Sequence, residues 1–284
     1  MNKKINEFES PESLEYLKDG LAGKHAALAD RFRPALPTFI IIGAAKAGTT
    51  SLGVTLQRHP QIQMSFPKEP KFFGRFYYKG WKWYAKCFAK GDHLAPVRGE
   101  ASTMYASKQT LFEHSPKLMK LYLPDVKLIY LTRHPLDRIV SHWRHWKGRK
   151  PGFVDFNKIY NQDHAEQLII GCSKYYERIS AFRAEFDDNQ ILPLTLEDME
   201  NDPATTLRRV LEFISADPDV NLLENGQLSR VNTAEEGRRN RVLVPTPEWR
   251  PKFKKRVIED LREDTGKFLE WMGKPRDFWD LEKT

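Results

Sequence analysis

Apolar residues along this chain fall into short blocks whose spacing changes with a regular rhythm. Residues 39–42, Phe-Ile-Ile-Ile, form an unbroken and largely β-branched run that stops at Gly43. Such a run is expected of a strand buried on both faces. Residues 51–59 then place Leu52 and Leu56 one helical turn apart, and His59-Pro60 closes the helix. The same order returns further on. Residues 126–131 predict a strand, Thr132-Arg133-His134 a turn, and Pro135 suits the first turn of a following helix. A weaker third copy has a strand at 190–196, then Asp202-Pro203 opening a helix with Leu207, Val210, Leu211 and Ile214 on one face. QIQMSF (61–66) and VRGEAS (97–102) supply two more candidate strands. Alternating strands and helices predict an α/β fold: a single domain with a central, mainly parallel sheet flanked by helices. Residues 1–37 are polar, with a short helix expected at about 13–19, and end in the Pro34/Pro37 stretch. They read as an N-terminal extension to a domain at 38–284, and no linker or repeat divides the rest.

Composition narrows the function classes. The chain has 284 residues, enough for a sizeable core. No apolar run reaches membrane-span length and the N-terminus lacks a signal-peptide core, so a cytoplasmic protein without a membrane span is expected, with peripheral association left open. The oligomeric state is not legible. Two cysteines, Cys87 and Cys172, without C-x-x-C spacing argue against a disulfide scaffold or a zinc site. The net charge of +8 favours an anionic partner: nucleic acid, a phosphorylated small molecule, an acidic glycan or a membrane surface.

The stretch GAAKAGTTS, residues 43–51, sits where the first strand meets the first helix. Small residues there let backbone N–H groups close around an anion, and the helix N-terminus adds partial positive charge. The pattern nearly matches the phosphate loop G-x-x-x-x-G-K-[ST] of nucleotide hydrolases. However, Thr49 stands where the lysine belongs, and the lysine is inside the loop as Lys46. A lysine in that position meets an anion nearer a bridging oxygen than a terminal phosphate. At the second strand end, Arg133 and Ser141 offer a guanidinium and a hydroxyl for a second anionic group. An ATP-dependent kinase of the phosphate-loop type would need a lysine after Gly48 and an acidic metal ligand on the neighbouring strand, which instead ends in Thr132-Arg133. A non-catalytic nucleic-acid-binding protein would leave GAAKAGTTS without a role.

These motifs resemble those of the sulfotransferases that use 3′-phosphoadenosine-5′-phosphosulfate (PAPS), particularly the branch of heparan sulfate N- and 3-O-sulfotransferases and their bacterial relatives. FIIIGAAKAGTTSL, FPKEPKFF, GEASTMY and LTRHPLDRIVSHW carry the resemblance, with weaker support from GCSKYYERISAF, ILPLTLEDMENDP and EEGRRNR. The resemblance implies a phosphate-loop-like sulfotransferase fold. It also implies that Lys46, Ala47, Gly48, Thr49, Thr50 and Ser51 bind the 5′-phosphosulfate, while Arg133 and Ser141 bind the 3′-phosphate. Gly237 and Arg238 resemble a loop that closes over the donor, although Glu236 stands where the family often has lysine. Tyr175 is similar to a family tyrosine. The expected product is 3′-phosphoadenosine-5′-phosphate (PAP), with no metal.

The resemblance further implies Glu69 as general base, with Lys68 positioning the sulfuryl group or acceptor and Lys46 neutralising charge on the leaving phosphate. His93, His114, His134, His142 and His145 are the alternative bases and rank below Glu69. Glu100 either faces the cleft or makes structural hydrogen bonds. Residues 72–88 interleave aromatics with Arg75, Lys79, Lys82 and Lys86, after Lys71. That segment is either a sugar-stacking surface or ordinary packing. The expected reaction is in-line transfer of a sulfuryl group to a hydroxyl or amine of a saccharide or glycoconjugate, with a lipid or small natural-product alcohol as the alternative acceptor.

Overall fold

The computed structural model describes residues 8, 10–89, 94–229 and 243–282. Five strands form one wholly parallel sheet in the order β2-β3-β1-β4-β5. They are β1 (Phe39–Gly43), β2 (Ile62–Met64), β3 (Val97–Glu100), β4 (Lys127–Thr132) and β5 (Ile191–Thr195). Every strand expected from the apolar pattern is present. The helices are α1 (Pro11–Leu21), α2 (Ala26–Asp30), α3 (Thr49–Leu56), α4 (Gly80–Lys86), α5 (Ser115–Tyr122) and α6 (Pro135–Arg149). They continue with α7 (Asp163–Ile169), α8 (Tyr175–Arg183), α9 (Leu196–Asn201), α10 (Pro203–Phe213) and α11 (Pro251–Trp271).

Local chemistry explains several boundaries. Pro135 opens α6, with Asp137 in its first turn and Lys147 and Arg149 in its last, complementing the helix dipole. The Asp202 side chain accepts the N–H of Thr205 and Pro203 follows, which starts α10 where the pattern put it. Leu207, Val210, Leu211 and Ile214 are all buried beneath it.

The strand order sets the site. After β1 the chain leaves for β2 and β3 on one side, and after β4 it turns to β5 on the other. Open parallel sheets bind ligands in the crevice at such a switch point, beyond the strands' carboxyl ends. Here that crevice lies between β1 and β4. Ala44 N–H donates to Leu131 O at 2.6 Å and ties the two strand ends together.

Residues 10–37 lie against the body of the protein. Tyr122 donates its hydroxyl to Gly20 O at 2.6 Å, and a Cβ on Gly20 would stand 2.4 Å from the Tyr77 hydroxyl. Ala29 and Leu36 are buried in the main core. Most of the aromatic segment is packing. Phe72, Phe73, Tyr77, Trp81, Tyr84 and Phe88 are buried, Phe72 stacks on Tyr84 with centroids 4.2 Å apart, and Lys79 lies over the rings of Phe76 and Trp83. Those six rings fill the core and present no face for a sugar to stack on, while Phe76, Tyr78 and Trp83 are half-buried.

Candidate active site

The loop after β1 has the conformation its small residues allow. Gly48, the residue before α3, is left-handed at φ 90°, and a Cβ there would approach a Leu196 methyl to 2.8 Å. No side chain caps α3, so its first-turn N–H groups face outward as an anion site requires. Lys46 is also left-handed, at φ 72°. A side-chain-bearing residue in that region costs about 1–2 kcal/mol, a strain characteristic of functional loops.

The KEPK segment reaches this loop from the far side of the sheet. β2 pairs with β3, so residues 65–71 cross the carboxyl end of β3 to approach β1. Ser65 N–H donates to Gly99 O at 2.8 Å and Ala101 N–H to Lys68 O at 3.1 Å. Lys68 Nζ then lies 3.0 Å from Thr50 Oγ1 of the loop and 3.5 Å from Glu69 Oε1. Lys71 Nζ stands 3.2 Å from the other oxygen, Oε2. Glu69 therefore sits between two ammonium groups, one of which touches the anion loop. Lys71, read from the sequence as one of the cations of the aromatic segment, is a partner of the candidate base.

Arg133 follows β4 at the other wall of the crevice. Its backbone carbonyl accepts the hydroxyl of the buried Tyr175 at 2.7 Å, and its guanidinium meets Asp137 at a stretched 3.4 Å. Ser141 lies one turn beyond Asp137 on α6 and is half-buried. Asp137 and Ser141 thus share one side of α6, with Arg133 just before its first turn, and α6 reaches the loop that carries Lys46 through Arg138. Gly237 and Arg238 lie outside the described residues.

Two residues of the site, Arg138 and Glu197, were not read from the sequence, and a third, Glu100, was left between two roles. Arg138 is fully buried on α6. Its Nε donates to Ser173 Oγ at 2.6 Å, its Nη1 to Ala45 O at 3.2 Å and His142 Nδ1 at 3.0 Å, and its Nη2 to Ile169 O. It braces the anion loop from behind. Glu197 accepts the His134 N–H at 2.7 Å and fixes the turn beside Arg133. Glu100 is fully buried, which settles its alternatives: it faces the core. Its oxygens accept the hydroxyls of Tyr84 (2.6 Å), Tyr105 (3.1 Å) and Ser102. The i+3 spacing of Arg138 from Pro135 was the one available signal, and it does not distinguish a buried brace from a surface arginine.

The histidines separate by environment. His142 is buried, and both ring nitrogens face donors, Arg138 Nη1 and Trp146 Nε1 at 3.1 Å. Burial, then Arg138, His145 and Lys46, hold its pKa well below the usual imidazole value. A ring that meets N–H groups on both sides is a poor proton acceptor. His114 is half-buried and pairs with Glu113, and His93 lies outside the described residues.

A family model described as "Sulfotransferase domain" matches residues 36–242, well over half of the chain. The mouse protein "Heparan sulfate glucosamine 3-O-sulfotransferase 3A1" is 28% identical over 198 residues, covering 68% of this chain and 49% of the relative. "Membrane-associated sulfotransferase kil1" of Dictyostelium discoideum is 34% identical over 164 residues, covering 54% and 34%. The chain thus spans about half or less of the length of these relatives. Among solved structures, a sulfotransferase from Alicyclobacillus acidocaldarius superposes with a TM-score of 0.67 at 19% identity, covering 86% of this chain and 98% of that one. Mouse sulfotransferase SULT7A1, complexed with PAP, superposes with a TM-score of 0.53 at 16% identity, covering 81% and 84%. Fold, strand-end motifs and family match agree, and the chain belongs to the sulfotransferase family.

Proposed function

We propose that this protein transfers the sulfuryl group of PAPS to a hydroxyl or amine of a saccharide, with Glu69 as general base. The observation that carries the proposal is the contact of Lys68 with both Thr50 of the anion loop and Glu69, because it joins a phosphosulfate cradle to a carboxylate within one residue's reach. The uncapped first turn of α3 and the N–H groups of residues 48–51 receive the 5′-phosphosulfate, while the Ala47 N–H closes the loop onto Ala44 O at 3.2 Å. Arg133 and Ser141 receive the 3′-phosphate, the group that separates this donor from ATP and ADP.

The acceptor O–H or N–H gives its proton to Glu69 as the acceptor atom bonds to sulfur. The bond from sulfur to the bridging oxygen breaks, and its electron pair leaves with the phosphate of PAP. Lys46 meets the charge that grows on that oxygen. One sulfuryl group moves and one proton is released, so the balance needs no further reactant. Support for a saccharide acceptor comes from the heparan sulfate enzymes among the relatives.

Titration calorimetry with PAP, ADP and ATP tests the donor assignment. PAP is expected to bind most tightly, and equal affinity for all three or preference for ATP would overturn it. Glu69→Gln is expected to abolish transfer to a heparosan-type oligosaccharide while leaving PAP affinity within about threefold. Activity retained by that variant would remove Glu69 from the base role.

A further inference from the structure

The buried carboxylate of Glu100 lies behind the KEPK segment, and its hydrogen bonds run in one direction. Tyr84, Tyr105 and Ser102 all aim hydroxyls at it. Two of those hydroxyl oxygens also receive backbone N–H groups of the segment: Lys71 N–H donates to Ser102 Oγ at 2.9 Å, and Phe73 N–H to Tyr105 Oη at 3.3 Å. A hydroxyl has a single proton. An ionised carboxylate accepts only, so it draws the Ser102 and Tyr105 protons toward itself and leaves their lone pairs for the two N–H groups. Lys71 needs that restraint, since it is held at φ 54° in the left-handed region. Its ammonium in turn lies 3.2 Å from Glu69.

We propose that Glu100 is a positioning residue for the candidate base: through the Ser102 and Tyr105 hydroxyls it fixes the backbone of Lys71 and Phe73, and through Lys71 the carboxylate of Glu69. The proposal deepens the functional reading above and rests on it for the role of Glu69. Burial raises the Glu100 pKa to about 7 against the opposing pull of its three hydroxyl donors, with Glu69 adding to the rise. The titratable groups acting around it are Tyr84 and Cys87 at α4, Tyr105 after β3, and Glu69. Tyr84, Tyr105 and Cys87 are all pushed up by burial and by Glu100 itself, so none of them changes charge near neutrality. When Glu100 takes a proton, its new O–H must donate to one of the hydroxyls. That hydroxyl no longer points at the carboxyl group, and the ordering of the hub is lost.

Hydrogen–deuterium exchange of the full chain, read peptide by peptide and corrected for the intrinsic pH dependence of exchange, tests this without acceptor or donor. At pH 8, Glu100→Gln, which keeps the shape but cannot act as an accept-only group, is expected to lower protection across residues 68–73 about tenfold relative to the native protein. Ser102→Ala is expected to lower protection of 68–73 by about tenfold at pH 8, with the loop at 43–51 and PAP affinity unchanged. Unchanged protection of 68–73 in both variants, or a loss spread over the whole chain, would overturn the positioning role. Failure of PAP binding in the unmodified protein, by contrast, would strike the functional reading and leave this result standing.

Discussion

Replacing Arg138 by methionine tests whether the anion loop is braced from below. Arg138 is fully buried, and its guanidinium donates to Ser173, Ala45 O, His142 and Ile169 O. Methionine keeps most of the volume and removes every donor. Ser173 retains a second partner in Pro135 O at 3.3 Å, but the carbonyls of Ala45 and Ile169 lose theirs. Each buried carbonyl left unpaired costs about 1–3 kcal/mol, and relief from burying the charge offsets part of the sum. A net loss of roughly 2–4 kcal/mol follows. For a chain of this size each kcal/mol shifts Tm by about 2–4 °C, so a drop of roughly 5–15 °C is expected in thermal unfolding followed by circular dichroism. The same variant is expected to weaken PAP binding, because Ala45 is part of the loop. Arg138→Lys is not expected to restore either property, since a single ammonium cannot reach partners arranged around a planar fork. A Tm within about 2 °C of the native protein, together with unchanged PAP affinity, would refute the bracing argument.

Three further outcomes follow from the geometry. Lys46→Met is expected to lower kcat by about two to three orders of magnitude, the usual effect of removing one preorganised donor from developing charge, and an effect confined to KM would point instead to ground-state binding. Gly48→Ala combines φ 90° with a 2.8 Å approach to Leu196 and is expected to destabilise by about 1–3 kcal/mol in urea titration; a neutral result would mean that α9 yields. Burial raises Glu100 from 4.5 to about 7 and Asp264 from 3.8 to about 6, so their stabilising contribution is full below the ordinary carboxylate range and is lost as pH rises through about 6 to 7. For Glu100 the difference is about 3 kcal/mol, and urea titrations between pH 4.5 and 8 should show Glu100→Gln flattening this fall.

The sheet was legible because parallel strands buried on both faces are predominantly apolar: 39–42 and 128–131 are unbroken apolar runs, and 190–196 is apolar apart from Gln190, Pro193 and Thr195. Helices α4, α5, α7, α8 and α11 were less legible, because their apolar faces are interrupted by lysines, arginines and tyrosines that bury stems or rings and keep polar ends outside. The tight loop at 43–51 was also legible in one dimension, since small residues and Gly48 between a buried strand and a helix mark a close backbone turn.

What sequence could not fix was which distant residues share a site. Strand order decides that: with β3 between β2 and β1, the KEPK segment has to pass over the end of β3, and only this crossing brings Lys68 to Thr50. Composition left the aromatic segment equally able to fill a core or to face a sugar, and packing resolved it by burying Phe72, Trp81 and Tyr84. Burial likewise decided Glu100, whose neighbours in sequence do not reveal that Tyr84, sixteen residues earlier, aims its hydroxyl at the carboxylate. Local pattern follows from backbone periodicity and is written along the chain. Burial, charge environment and the meeting of strand ends depend on contacts across it, and only the tertiary structure decided them.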